Sequence, residues 1–363
     1  MNNPSYLDAV KRLNEHSIPY EVLHTGDDSL LLVIQHGGRI LGPFASRQSS
    51  GMLWMNRAWA SPDDWNTLMK DGYWNLGGER LWIAPELQYH VEERTKPSET
   101  YRLPASIDPG DYLLTRVDAH TAQLSADVVL KANNFKDGTQ HLSVRRTVRA
   151  IPNPLRTLHT CSELMNGIDY FGYSHTVDLS MAKSSPIPSE TWVIMQVPQE
   201  GTAIIPAKNN CQIGWYYRPD EKNLINSYPS AITAKMTNGH LFKIGFHAAS
   251  WMGRSAYVRQ LDDKRWSLMI RSNFSNPSSY YLEEPFTSPG ETGYAFHLYN
   301  SAKSEERFGE IESQGLSIGG LSGKTHSTDE MATWYFCGDT QRLRSIAHVL
   351  LSVHTDDLQK LWP

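Results

Sequence analysis

Cysteine is scarce in this chain. Cys161, Cys211 and Cys337 are the only three, and they lie far apart. An odd, scattered set gives no disulfide framework and no zinc spacing. The expectation is three reduced thiols in a reducing compartment, and so a cytoplasmic protein. Long hydrophobic runs are also missing. No stretch approaches the roughly 18 apolar residues of a membrane span. The polar opening, MNNPSYLDAVKRLNEHS, has no apolar core of signal-peptide length. Basic blocks are absent, and the formal net charge is only −5 over 363 residues. Nothing in that balance points to nucleic acid. No fixed-period repeat appears, which argues against a propeller or a solenoid. The nearest approach to a phosphate loop is Gly323-Lys324-Thr325, but Ile318 stands where the motif needs its first glycine. No His-Glu-x-x-His helix, nucleophile elbow or dinucleotide fingerprint is found. No metal and no cofactor are expected from these patterns.

Aromatic residues are plentiful, with 11 Trp and 17 Tyr. They suit a ring-stacking site and equally a large β core. The densest segment runs Trp74-Asn75-Leu76-Gly77-Gly78-Glu79-Arg80-Leu81-Trp82-Ile83-Ala84-Pro85-Glu86. Tryptophan faces stack on sugar rings, while arginine and carboxylates hydrogen-bond hydroxyls. The glycine pair permits a sharp turn or a close backbone approach. The same segment also reads as a buried strand preceded by a turn.

Apolar Leu7, Val10 and Leu13 at helical spacing predict a short helix over 5–16. From residue 19 onward, short β-rich runs alternate with clusters of Gly, Asn, Asp, Ser and Pro. Such runs fall at 30–35, 112–117, 122–130, 142–150, 192–197, 241–246, 255–261, 266–271, 294–299 and 331–336. Lys136-Asp137-Gly138 and Thr237-Asn238-Gly239 read as hairpin turns. A helix or helix pair is expected from Thr340 to about Leu361. The class is therefore all-β, a large antiparallel sandwich with short helices at the N- and C-termini. No flexible linker is evident. The division expected is an N-terminal helical segment, 1–18, and one sandwich domain, 19–363.

Three segments taken in order carry a resemblance. They are His36-Gly37-Gly38-Arg39-Ile40-Leu41-Gly42 followed by Leu53-Trp54, then Gly77 to Glu86, then Phe308-Gly309-Glu310-Ile311-Glu312. This order resembles the galactose mutarotase-like (aldose 1-epimerase-like) superfamily, in an uncharacterised bacterial branch of it. The resemblance covers roughly residues 20–340 and implies the β-supersandwich fold. It further implies acid–base chemistry at an anomeric carbon, with a glutamate as base and a histidine as acid.

Matched residue by residue, the resemblance implies Glu312 as the base and His175, in Tyr173-Ser174-His175-Thr176, as the acid. Strand alternation puts Glu310 and Glu312 on one face, where paired carboxylates raise each other's proton affinity. A solvent-facing strand edge is the alternative for Glu312, and a hydrogen-bonded core histidine is the alternative for His175. Arg80 is the candidate substrate clamp, with an ion pair to Glu79 or Glu86 as the alternative. Glu79, Trp82, Glu86, His90 and His247 complete the candidate substrate-binding set. His247 sits in Phe246-His247-Ala248-Ala249-Ser250-Trp251, which reads also as a plain loop. The early histidine motif of true galactose mutarotases is missing.

Three functions are thereby distinguished. The first is an epimerase or mutarotase acting on a sugar or sugar acid. The second is a polysaccharide lyase or glycosidase using the same carboxylates on an oligosaccharide. The third is a noncatalytic sugar-binding protein. The expected partner is a carbohydrate, with no nucleic acid and no membrane, and the oligomeric state is left open.

Overall fold

The computed structural model describes residues 3–26, 28–72, 74–207 and 211–362. Alternating apolar residues give most strands one face to bury, and two large antiparallel sheets do so against each other. The nine-stranded sheet runs in the order β1 (Tyr20–His24), β2 (Leu30–Ile34), β3 (Arg39–Phe44), β4 (Glu79–Ala84), β9 (Glu190–Pro198), β18 (Phe308–Gln314), β17 (Tyr294–Asn300), β14 (Phe242–His247), β11 (Ile213–Tyr217). The ten-stranded sheet runs β12 (Ile225–Ser227), β13 (Ala231–Met236), β10 (Gly201–Pro206), β15 (Arg254–Gln260), β16 (Trp266–Asn273), β19 (His326–Gly338), β8 (Asp169–Ser180), β7 (Gly138–Ala150), β6 (Thr121–Ala132), β5 (Leu113–Asp118). The all-β sandwich expected from the sequence is the fold observed, and each anticipated strand is present.

The main core lies between the sheets. Leu81, Ile83, Val193, Met195, Ile311 and Leu298 of one sheet meet Leu124, Val128, Val144, Val177 and Met269 of the other. Helices cover parts of both outer faces. The N-terminal helix Tyr6–Glu15 carries a capping box, in which Ser5 and Asp8 bond each other's backbone N–H. With the helix Pro62–Lys70 it buries Leu30, Leu32, Ile34, Leu41 and Phe44 at the β1–β3 end of the nine-stranded sheet. The C-terminal pair, Thr340–Leu351 and Thr355–Leu361, packs on Ile204, Val258, Leu268 and Phe336 on the outside of the ten-stranded sheet. The middle of the nine-stranded sheet's outer face keeps its polar residues. Among the described residues no helix is long and apolar enough to cross a membrane.

One turn differs from its sequence reading. Lys136-Asp137-Gly138 does end the β6–β7 hairpin, where Ala132 pairs with Gly138. Thr237-Asn238-Gly239 instead joins β13 to β14, which belong to different sheets. Asn300 Nδ2 holds that crossing by donating to the Thr237 and His240 carbonyls. The double glycine has a structural cause. Both residues have positive φ, and a Cβ on Gly78 would meet the Ile40 carbonyl at 2.3 Å. Only glycine lets β3 and β4 approach this closely.

Candidate functional site

Strand alternation splits β4 between two environments. Glu79, Leu81 and Ile83 face the space between the sheets, while Arg80 and Trp82 face outward. The register carries the outward face across the sheet. Arg80 lies opposite Ile194, Trp82 opposite Trp192, Gln196 opposite Glu310, and Glu312 opposite both Ile194 and His297. Lys243 of β14 lies opposite Tyr299 and joins them. All of these charged residues are buried.

Lys243 stands at the centre. Its Nζ donates to Glu86 Oε2 at 3.1 Å and lies 3.4 Å from Glu312 Oε2. The ammonium also sits over the rings of Trp192 and Tyr216, at 4.7 and 5.3 Å from their centroids. Trp192 Nε1 donates to Glu312 Oε2 at 2.8 Å. Arg80 Nη2 donates to Glu310 Oε1 at 2.8 Å, and Gln196 Nε2 reaches the same oxygen at 3.0 Å. The Arg80 guanidinium lies 4.7 Å from the Trp74 ring centroid and 4.3 Å from that of Trp82. Its Nε and Nη1 are buried with no partner among the described residues.

Four carboxylates therefore meet two cations. Burial pushes the Glu312 carboxyl up to about 7, against the pull of Lys243, with Glu310 and Glu86 adding to the rise. Glu283, on the segment that follows Tyr281, is pushed to about 8 by burial, also against Lys243 and with help from Glu86. Burial alone would weaken the hold of Lys243 on its proton. Glu312, Glu86 and Glu283 reverse that and hold it charged well above the ordinary lysine range. His297 is kept neutral by burial and then by Lys243, and its Nε2 lies 3.1 Å from the Tyr216 hydroxyl. A bulge between Trp215 and Tyr217 leaves Tyr216 free of the register. Half-buried Trp74, Glu86, Tyr101, Tyr216 and Phe286 surround the buried groups.

His175 stands elsewhere. It lies on β8 of the other sheet and faces the interior, so it does not meet Glu312. Its Nδ1 is 2.5 Å from Glu79 Oε1, and its Nε2 accepts from Arg146 Nε at 3.0 Å. Glu79 also accepts from Tyr173 at 2.7 Å and from Arg271 Nη1 at 2.8 Å. Burial would raise the Glu79 carboxyl, but Arg271 and His175 hold it well below the usual range. Burial, then Arg146, pushes His175 down to about 4. This inner cluster ties the two sheets together, and the core-histidine alternative describes His175. The pairing of Glu312 with His175 as base and acid is thereby corrected. Glu79 likewise falls outside the Glu312 face, because it is one residue from Arg80 on a strand.

The other candidates divide. Arg80, Trp82 and Glu86 join Glu312. Arg80 pairs with Glu310 rather than with Glu79 or Glu86. His90 supports the site from beneath: its ring stacks on Trp82 at 5.2 Å and on Tyr101 at 5.8 Å, and its Nε2 bonds the Ile83 carbonyl. Burial pushes its imidazole down to about 3. His247 closes its own turn at the end of β14, where its Nδ1 accepts from Ala249 N. Lys243, Glu283 and His297 were not anticipated. A lone lysine inside the apolar run Phe242–His247 was the available signal for the first. Glu283 lies in irregular chain and His297 in an aromatic strand, and neither had one. An open polar hollow of about 660 Å³ lies on the far side of the molecule, lined by Ser125, Asp127, Ser143, Arg145, Asp178 and His326. Its lining has no Phe, Tyr or Trp side chain and no buried carboxylate, in contrast to the Glu312 face. Among the described residues no group of His, Cys, Asp and Glu could hold a metal ion.

Comparison with known proteins gives three findings. A model described as a family of unknown function (DUF6786) matches residues 4–362. No protein of curated function matches the chain. Among solved structures the chain is similar to a putative aldose 1-epimerase from Escherichia coli K12, at 12% identity, covering 88% of this chain and 99% of that one, with a TM-score of 0.46. It is also similar to a galactose mutarotase-like protein from Lactobacillus casei ATCC 334, at 8% identity, 87% and 100% coverage and a TM-score of 0.47. A third is the GalM/aldose epimerase homologue from C. elegans, at 9% identity, 89% and 99% coverage and a TM-score of 0.41.

Proposed function

We propose that this chain, which belongs to the DUF6786 family, binds a sugar on the outer face of its nine-stranded sheet and moves a proton at the anomeric carbon. The observation that carries the reading is the state of Glu312. It is a buried carboxyl, pushed up to about 7, set beside Lys243 on a face that carries a second tryptophan-lined cation, Arg80. A base whose proton affinity sits near working pH is suited to take and return a proton. In the proposed reaction Glu312 removes the anomeric hydroxyl proton, the ring C–O bond breaks, and Lys243 donates to the departing ring oxygen. That oxygen has a high proton affinity of its own, which the tightly held Lys243 proton matches. Arg80 holds the sugar through hydroxyl contacts and half-buried Trp74 through stacking, while Trp82, with His90 and Arg80 against its ring, positions the guanidinium.

A glycosidase would need two carboxyls flanking an open bond site. Here the Lys243 ammonium bridges Glu86 and Glu312, which favours the epimerase over that second reading. The test is anomer exchange by NMR saturation transfer on hexoses, pentoses and uronic acids, comparing the wild type with Glu312→Gln. Exchange should be enhanced in the wild type and fall about 10²–10⁴-fold in the variant. Binding without enhanced exchange would leave a noncatalytic sugar-binding protein.

A further inference from the structure

We infer that the sugar this site prefers carries an amine, taken by Glu283. The inference rests on the reading of the Glu312 face as a sugar site. Three of the carboxylates there have a cation of this chain at hand: Glu310 has Arg80, while Glu86 and Glu312 share Lys243. Glu283 has none within ion-pair distance among the described residues. Glu190, farther along the face on β9, has no ion pair either among the described residues, but it accepts from Leu282 N. Glu283 Oε2 accepts from the Glu86 backbone N–H at 2.6 Å. Its Oε1 is buried and has no partner among the described residues, and Glu283 is 0% exposed. A buried carboxylate oxygen left unbonded costs free energy until a donor arrives.

The surroundings match an ammonium rather than an acid. Acid groups outnumber cations on this face, so a uronate or a sugar phosphate would bring another carboxylate or phosphate to a place where Glu283 and Glu312 already hold their protons tightly. Lys243 already shows the local preference, lying over the faces of Trp192 and Tyr216 while it bonds two carboxylates. A ligand ammonium beside Glu283 favours the ionised carboxylate and gains a charged hydrogen bond from it. The unpartnered Nε and Nη1 of Arg80 are left for sugar oxygens. Glu283 is held in place by its own segment. Leu282 N donates to Glu190 at 2.7 Å, and Arg94 donates to the Phe286 carbonyl at 3.1 Å and pairs with Glu284.

The test is calorimetric titration of the full chain near neutral pH with galactosamine and glucosamine, their N-acetyl derivatives, the parent hexoses and the uronic acids. An amino sugar should bind about tenfold or more tightly than its parent hexose, the range of a hydrogen bond to a charged group. Acetylation, which removes the charge, should abolish the preference without touching the protein. Glu283→Gln should abolish it too, lowering amino-sugar affinity about tenfold more than hexose affinity. Hexose binding with no amine preference, or a preference for uronic acids, overturns this inference and leaves the sugar-site reading intact. No binding of any sugar overturns both.

Discussion

Glu79 and Arg80 are neighbours in the chain, yet they enter two buried charge clusters that behave in opposite ways. On the inner side, both Glu79 oxygens are bonded, by Tyr173, His175 and Arg271, and the carboxyl is held well below its usual range. On the outer side, Glu312 has one indole donor and a share of one lysine, and its carboxyl is pushed up to about 7. Both groups are fully buried, so burial alone does not separate them. Compensation does. A saturated carboxylate is pinned in its charged form and serves as a cross-link between sheets. An undersupplied one is left near its titration point, with unbonded donors and acceptors around it, which is the condition acid–base chemistry requires.

The largest effect expected from breaking this contrast is on stability. Glu79→Ala should leave Arg271 buried and unpaired and cost about 3–5 kcal/mol. Denaturant unfolding measures it, and a loss below about 1 kcal/mol would show that the inner cluster is not a cross-link. The next effect is the pH dependence of stability. The folded Glu312 carboxyl binds its proton more tightly than the unfolded one. Its contribution is therefore fully present below about 4.5 and lost as the pH rises through about 7. Glu79 has the opposite sign: its contribution is present above about 4.5 and is lost only in acid. Relative to Glu312→Gln, the wild type should thus lose stability between about pH 4.5 and 7. A constant difference across that range would contradict the assignment. The smallest effect is Arg80→Lys. Replacing the guanidinium between Trp74 and Trp82 should raise KM by a few-fold, the ~0.5–1 kcal/mol of a cation–aromatic contact, with kcat nearly unchanged. A change in kcat alone would give Arg80 a part in the chemistry instead.

Much of this contrast was legible in the sequence, and the reasons are local. Two-residue alternation placed Glu310 and Glu312 on one face. It also separates Glu79 from Arg80, although both read as site candidates from composition. The strands and both terminal helices follow from periodicity. The helix Pro62–Lys70, which Ser61 caps by accepting from Asp64 N, was not among the expected elements. What remained hidden depends on sheet membership. Nothing local tells that β8 lies in the other sheet, so His175 could not be separated from Glu312. Nor does Thr237-Asn238-Gly239 reveal that it crosses between sheets rather than closing a hairpin. Lys243 and Glu283 meet Glu86 only through pairings across long stretches of chain.

The contrast between the two clusters is tested most directly by following the carboxyl carbons of Glu312 and Glu79 by NMR through a pH titration. Glu312 should titrate with a midpoint near 7, while Glu79 stays ionised until the protein unfolds in acid. A Glu312 midpoint near the ordinary 4.5, or a Glu79 that titrates beside it, would contradict the assignment of one cluster to chemistry and the other to structure.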